Sequence, residues 1–175
     1  MRRTFLLLPL LLAACAGNPV IVQDPARDAG KLSLLAALTI PPGSATLRLQ
    51  YGHPVARNAV QEQDPFCVFE IDTVSDSPQR VRPDNFRVTR IGHSIENIAT
   101  LAQPMPMKVG LFGDGRPTFI YYKTLFWLHS ERQRGVRLLT CMSNQNMPGV
   151  YPFMRHLTLN EIRAALGADF ELEVR

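Results

Sequence analysis

Few side chains in this 175-residue sequence have chemistry to offer: three cysteines, four histidines, six methionines and a handful of acidic and basic clusters. Cys67 alternates with Phe69 and Ile71, and Cys141 alternates with Leu139, so each thiol belongs on the apolar face of a strand. There they are a bonded pair, two separate buried thiols, a nucleophile or a metal ligand; no C-x-x-C spacing supports a thioredoxin-like site. His53, His93, His129 and His156 are scattered, without the H-x-x-x-H or H-E-x-x-H spacing of a zinc site. Each is expected to be a surface or capping histidine. Met105-Pro106-Met107 offers alternating thioethers, donors for Cu(I), which Met142, Met147 and Met154 would join if folding gathered them. Flexible gap-filling is the plainer role, so no metal or cofactor is expected. Glu70 and Asp72 share one side of a strand, where acid–base work is conceivable but a solvated sheet face is the usual outcome. No G-x-S-x-G elbow is present, and Asp114 sits in a Gly-Asp-Gly turn that backbone geometry alone explains. No catalytic set emerges.

Two arginine groups are more suggestive. Arg80, Arg82, Arg87 and Arg90 form one; Arg132, Arg134 and Arg137 form the other. Either suits anionic headgroups or acidic polymers, against the simpler expectation of an ordinary charged surface. The aromatic run Phe119, Tyr121, Tyr122, Phe126 and Trp127 would line a ligand cavity in a barrel, or simply build a core strand.

The N-terminus carries the most specific pattern. Met1-Arg2-Arg3 is a basic start, Phe5 to Leu12 is a short apolar run, and Leu12-Ala13-Ala14-Cys15 closes it. This resembles the lipobox of a bacterial prolipoprotein. The resemblance covers only the first fifteen residues. It implies that residues 1–14 are a signal peptide, that Cys15 carries lipid, and that the mature protein faces the periplasm from a membrane. Ala16, being non-acidic, implies the outer membrane. The rest of the chain resembles small Gram-negative envelope lipoproteins in general look alone, which assigns no functional residue. Acyl chains contribute about 0.8 kcal/mol per buried CH₂, so two or more of them hold firmly. With Arg2 and Arg3 removed, 17 basic residues face 15 acidic ones, too slight an excess to suggest nucleic acid. With Cys15 taken by lipid, the remaining pair Cys67 and Cys141 is expected to form a disulfide in an oxidising periplasm.

Alternating patterns predict strands over Thr46–Tyr51, Phe66–Val74, Phe86–Ile91, Thr118–Leu128, Val136–Met142 and Phe170–Val174. In the first of these, Leu47, Leu49 and Tyr51 share a face. Thr118–Leu128 is apolar on both faces and should be central. Val109–Phe112 and the turn Gly113-Asp114-Gly115 would pair with it as a hairpin. Leu32–Leu38 is a short helix or a first strand, Ser75–Asn85 a loop, and Ser94–Ala102 a possible helical turn. Thr158 with Glu161 three residues on makes a capping box, and Leu159, Ile162, Ala165 and Leu166 give a helical stripe that Gly167 stops. The expected fold is mainly β: an antiparallel sandwich or partly open barrel of six to eight strands with a short C-terminal helix over about 158–166. Residues 15–40 read as lipidated N-terminus and tether, and residues 41–175 as one domain.

The function expected is that of a membrane-anchored, non-enzymatic interaction or envelope-maintenance module, with the membrane and an envelope protein as partners. The alternatives are a carrier with an apolar pocket for a lipid, which needs a cavity of ~300 Å³ or more, and a hydrolase with an unfamiliar motif, in which a hydroxyl or carboxylate meets a histidine in a polar cleft.

Overall fold

The computed structural model describes residues 21–22, 29–99, 118–145 and 155–175. Besides a 3₁₀ turn at Arg57–Ala59, eleven strands and one α-helix follow in order: β1 Ile21–Val22, β2 Gly30–Leu34, β3 Leu38–Ile40, β4 Ser44–Gln50, β5 His53–Val55, β6 Phe66–Ser75, β7 Gln79–Val81, β8 Asp84–Ala99, β9 Thr118–His129, β10 Val136–Met142, α1 Leu159–Leu166 and β11 Phe170–Val174. Eight strands form a curled antiparallel half-barrel in the order β11-β2-β8-β9-β10-β6-β4-β5, with β1 joining β8 farther along. The fold is therefore mainly β, with the short helix at 159–166. Beside the large sheet, β3 and β7 make a two-stranded ribbon.

Alternation decides what each strand buries. Leu47 and Leu49 of β4, Phe69 and Ile71 of β6, Phe126 and Leu128 of β9, Leu139 of β10, and Phe170 and Leu172 of β11 all enter one core. Phe69, Phe86 and Phe126 are essentially inaccessible at its centre. Each such side chain contributes roughly 1.5–3 kcal/mol by leaving water. Leu38, Ile40 and Val81 of the ribbon close one part of this core, and Ile162, Ala165 and Leu166 of α1 close another. As its apolar run predicts, β9 lies mid-sheet, between β8 and β10.

The helix start is fixed locally. The Thr158 hydroxyl accepts from the Glu161 N–H at 3.3 Å, and the Glu161 carboxylate accepts from the Thr158 N–H at 2.7 Å. Arg155 adds a two-pronged ion pair to Glu161, and that pairing leads the effects holding the Glu161 carboxyl down at about 2. Thr158→Ala should cost about 1 kcal/mol, read as a shift of the chemical-denaturation midpoint at unchanged slope. Gly167 ends the helix at φ 77°, and a side chain there would run into the backbone of Gly52. Gly52 donates its N–H to the Ala165 carbonyl at 3.1 Å, so the helix end is seated on the β4–β5 turn.

The structure departs from the sequence reading in several places. Tyr51 does not face inward with Leu47 and Leu49; it is 58% exposed at φ 53°. Gln50 pairs with His53, so Tyr51 and Gly52 form a two-residue hairpin turn that requires positive φ at both positions. Residues 30–40, expected in the tether, supply β2 and β3, and β2 lies between β11 and β8. The expected loop 75–85 contains β7, which pairs with β3. Ser94–Ala99 is strand rather than helical turn, because β9 pairs with it residue for residue. The expected hairpin strand Val109–Phe112, the Gly113-Asp114-Gly115 turn, Met105 and Met107 lie outside the described residues, as does Cys15.

Candidate functional site

Cys67 and Cys141 are disulfide-bonded. They are direct cross-strand neighbours on β6 and β10, both fully buried on the core side. The bond is a structural clasp closed off from solvent.

The more open feature lies where β7 leads into β8 and β9 turns into β10. Its organiser is Asp84, whose side chain is 2% exposed. The Ser130 hydroxyl donates to one carboxylate oxygen at 2.7 Å and the Gln133 amide donates to the same atom at 3.1 Å. The Asn85 N–H donates to the other oxygen at 2.8 Å, where the Arg132 guanidinium also bonds. Burial pushes this carboxyl up, but these donors together outweigh it and hold it at about 2. Ser130 also accepts from the N–H groups of Arg132 and Gln133, bending the chain into the turn. Gln133 reaches across to the Arg82 backbone with both ends of its amide, at 2.8 and 2.9 Å. A charged turn is thereby tied to the start of β8.

Two clefts flank the Asp84–Arg132 pair. Arg80, Arg82 and Gln133 line one; Arg87, His129 and Glu131 line the other. The structure thus brings together Arg80, Arg82, Arg87 and Arg132, members of both arginine groups. Arg134 stays close by, paired with Glu131 at 3.2 Å. Arg90 and Arg137 go elsewhere: Arg90 lies 3.6 Å over the Trp127 ring, and Arg137 stands 3.9 Å from Glu70. Arg132 spends one edge on Asp84 yet keeps 72% of its side chain exposed, which leaves guanidinium surface for a second anion.

Of the remaining sequence candidates, His93 and His156 meet edge to face with ring centroids 4.4 Å apart, and the others are dispersed. Glu70 is half-buried beside Arg137, whereas Asp72 is exposed and accepts from Thr73, so they do not work as a carboxylate pair. His53 is exposed on β5, and His129 contacts Glu131 at 2.9 Å. Ser130 lies beside His129 in sequence, but its proton is committed to Asp84. Of the aromatic run, Phe126 enters the core; Tyr121 packs on the opposite face with Phe66 and Met142, its hydroxyl bonded to Glu62. The side chain of Phe119 lies outside the described residues. Sequence reasoning missed Asp84 altogether. Its only local signal was an acidic residue following Arg-Pro, and the donors that make it matter are 46 and more positions away.

Fold and site define a disulfide-clasped antiparallel half-barrel with an arginine-lined end. No protein family, curated protein or solved structure matches the chain.

Proposed function

We propose that this protein is a lipid-anchored envelope lipoprotein, held by Cys15, whose domain is a non-enzymatic interaction module that meets an anionic partner with its arginine-lined end. The carrying observation is the convergence of Arg80, Arg82, Arg87 and Arg132 around one buried carboxylate. Exposed arginines on a mobile loop bind nothing in particular. Arg132 on a turn that Asp84, Ser130 and Gln133 lock, Arg82 tied to that turn through its backbone, and Arg80 and Arg87 on strands β7 and β8 present a preorganised surface, which lowers the ordering cost of binding. The lipobox ending at Cys15 supports the anchor, and a buried disulfide suits an oxidising compartment. The burial of Phe69, Phe86 and Phe126 together in the core supports the module over the carrier.

The test is made in the cell. The wild-type chain should incorporate a labelled fatty acid and partition with membranes, and Cys15→Ser should abolish both. Crosslinking of the anchored chain should give discrete adducts that the Arg80→Glu, Arg82→Glu double variant loses. Its stability should stay within about 1 kcal/mol of wild type, because surface changes usually cost no more than ~0.5 kcal/mol each. An unlabelled Cys15, or adducts indifferent to the charge reversal, defeats the corresponding half of the reading.

A further inference from the structure

The two ends of the long β8–β9 pair differ in charge and in where the chain enters. β8 runs from Asp84, at the arginine-lined end, to Ala99 at the other. β1 pairs with it antiparallel, Ile21 against His93 and Val22 against Gly92. Followed along β1, the chain travels toward the arginine-lined end, so the direction leading back to Cys15 points the opposite way. Asp84 and His93 lie on one strand, and nine residues of strand separate them by about 30 Å.

The end away from the arginines is an arm. Ser94–Ala99 of β8 and Thr118–Lys123 of β9 pair residue for residue. Among the described residues, the flanking ladders stop short of it: β1 at His93, β2 at Val88 and β10 at Thr124. Beyond those points the backbone pairs with the arm only around Asn144, which bridges Tyr121. At the rise of a strand, the arm extends about 20 Å past His93. Its only charged residues, Glu96 and Lys123, are bonded to each other, and Ile95 is exposed.

Chain length turns this polarity into an orientation. Cys15 precedes Ile21 by six residues, which puts the two at most about 22 Å apart. With the strands upright and the arm resting on a bilayer, Ile21 stands about 20 Å above the surface, within that reach. With the arginine-lined end down it would stand about 30 Å above, out of reach.

We propose that the β8–β9 arm, Ser94–Ala99 with Thr118–Lys123, rests on the surface of the lipid bilayer that holds the anchor, and that the arginine-lined end is held off that surface in the aqueous space. The proposal rests on the reading that Cys15 carries lipid. It deepens that reading by removing the headgroups around the anchor as the anionic partner. An arm whose charges cancel gains little from lipid charge, so the contact is expected on zwitterionic and anionic bilayers alike.

The experiment uses the lipidated full chain in phosphatidylcholine vesicles that carry a nickel-chelating lipid, with a nitroxide at Ile95→Cys or at Arg134→Cys. Both positions are exposed, so the labels should be tolerated. The mass of the purified chain first shows whether Cys15 bears its acyl groups. Headgroup nickel should speed relaxation of the Ile95→Cys label severalfold. The Arg134→Cys label, on the turn that carries Arg132, should relax as it does without the chelating lipid. Exchanging part of the phosphatidylcholine for phosphatidylglycerol should change neither result. Relaxation at Arg134→Cys as fast as at Ile95→Cys on either lipid overturns the orientation and leaves the anchor standing. So does an acylated chain whose Ile95→Cys label ignores the nickel. A chain without acyl groups defeats the anchor reading itself, and the orientation with it.

Discussion

Removing the Cys67–Cys141 bond by paired alanine substitution should lower stability by roughly 4 kcal/mol, the loop-closure entropy of a crosslink spanning 74 positions. The loop is long because the bond joins β6 to β10, which adjoin in the sheet while two arginine groups, β7, β8 and β9 intervene in sequence. Reduction releases the unfolded chain from that constraint. In the folded state the strands stay in register through their ladder, so the native structure should survive near room temperature and fail on heating. For a domain of this size about 1 kcal/mol moves Tm by roughly 2–4 °C, so a drop on the order of 10 °C is expected by calorimetry. Each single variant should lose nearly as much as the pair, because either one opens the loop. A shift below about 2 °C would mean that the bond contributes little beyond what the β6–β10 ladder already secures.

Asp84→Ala should be the most damaging single polar substitution, at about 3 kcal/mol. It deprives the buried Ser130 hydroxyl, the Gln133 amide and Arg132 of a common acceptor, and buried donors left unmatched cost about 1–3 kcal/mol each before relaxation. The same carboxylate gives the protein a pH signature. Its folded value of about 2 lies below the unfolded 3.8. A depressed folded pKa means that the stabilisation is complete above the unfolded value and is lost as pH falls through the folded one. The loss therefore runs from about pH 4 down to about pH 2 and amounts to about 2 kcal/mol. Urea melts of wild type and Asp84→Asn should show a stability gap that narrows across this interval. A gap of constant size from pH 6 to pH 2 would show that the charge on Asp84 is not what the turn relies on. Loss of the turn should also free Arg132 and release the Arg82 backbone from Gln133, so Asp84→Asn is expected to weaken any adduct that the charge-reversed variant loses.

Much of this protein is written in short stretches of chain. The spans of β10 and β11 and the capping box of α1 follow from neighbours two to four positions apart, and the structure reproduces them. The inward faces of Cys67 and Cys141 follow from the same alternation, because successive strand side chains must point to opposite sides. A strand that is polar in its second half, as β8 is beyond Ile91, carries no such signal. It is a strand because β9 offers it a ladder. The ribbon of β3 and β7 is likewise made by pairing across some forty residues.

Nothing local says which strands adjoin, and adjacency is what assembles the candidate features. Sequence set out two arginine groups and four scattered histidines; the sheet order placed Arg80 and Arg82 beside Arg132, and the β9 register with the path into α1 set His93 against His156. Alternation and capping are decided by backbone geometry within a few residues. Convergence is decided by long-range hydrogen-bond register and by burial of the shared core, which no stretch of this chain encodes alone.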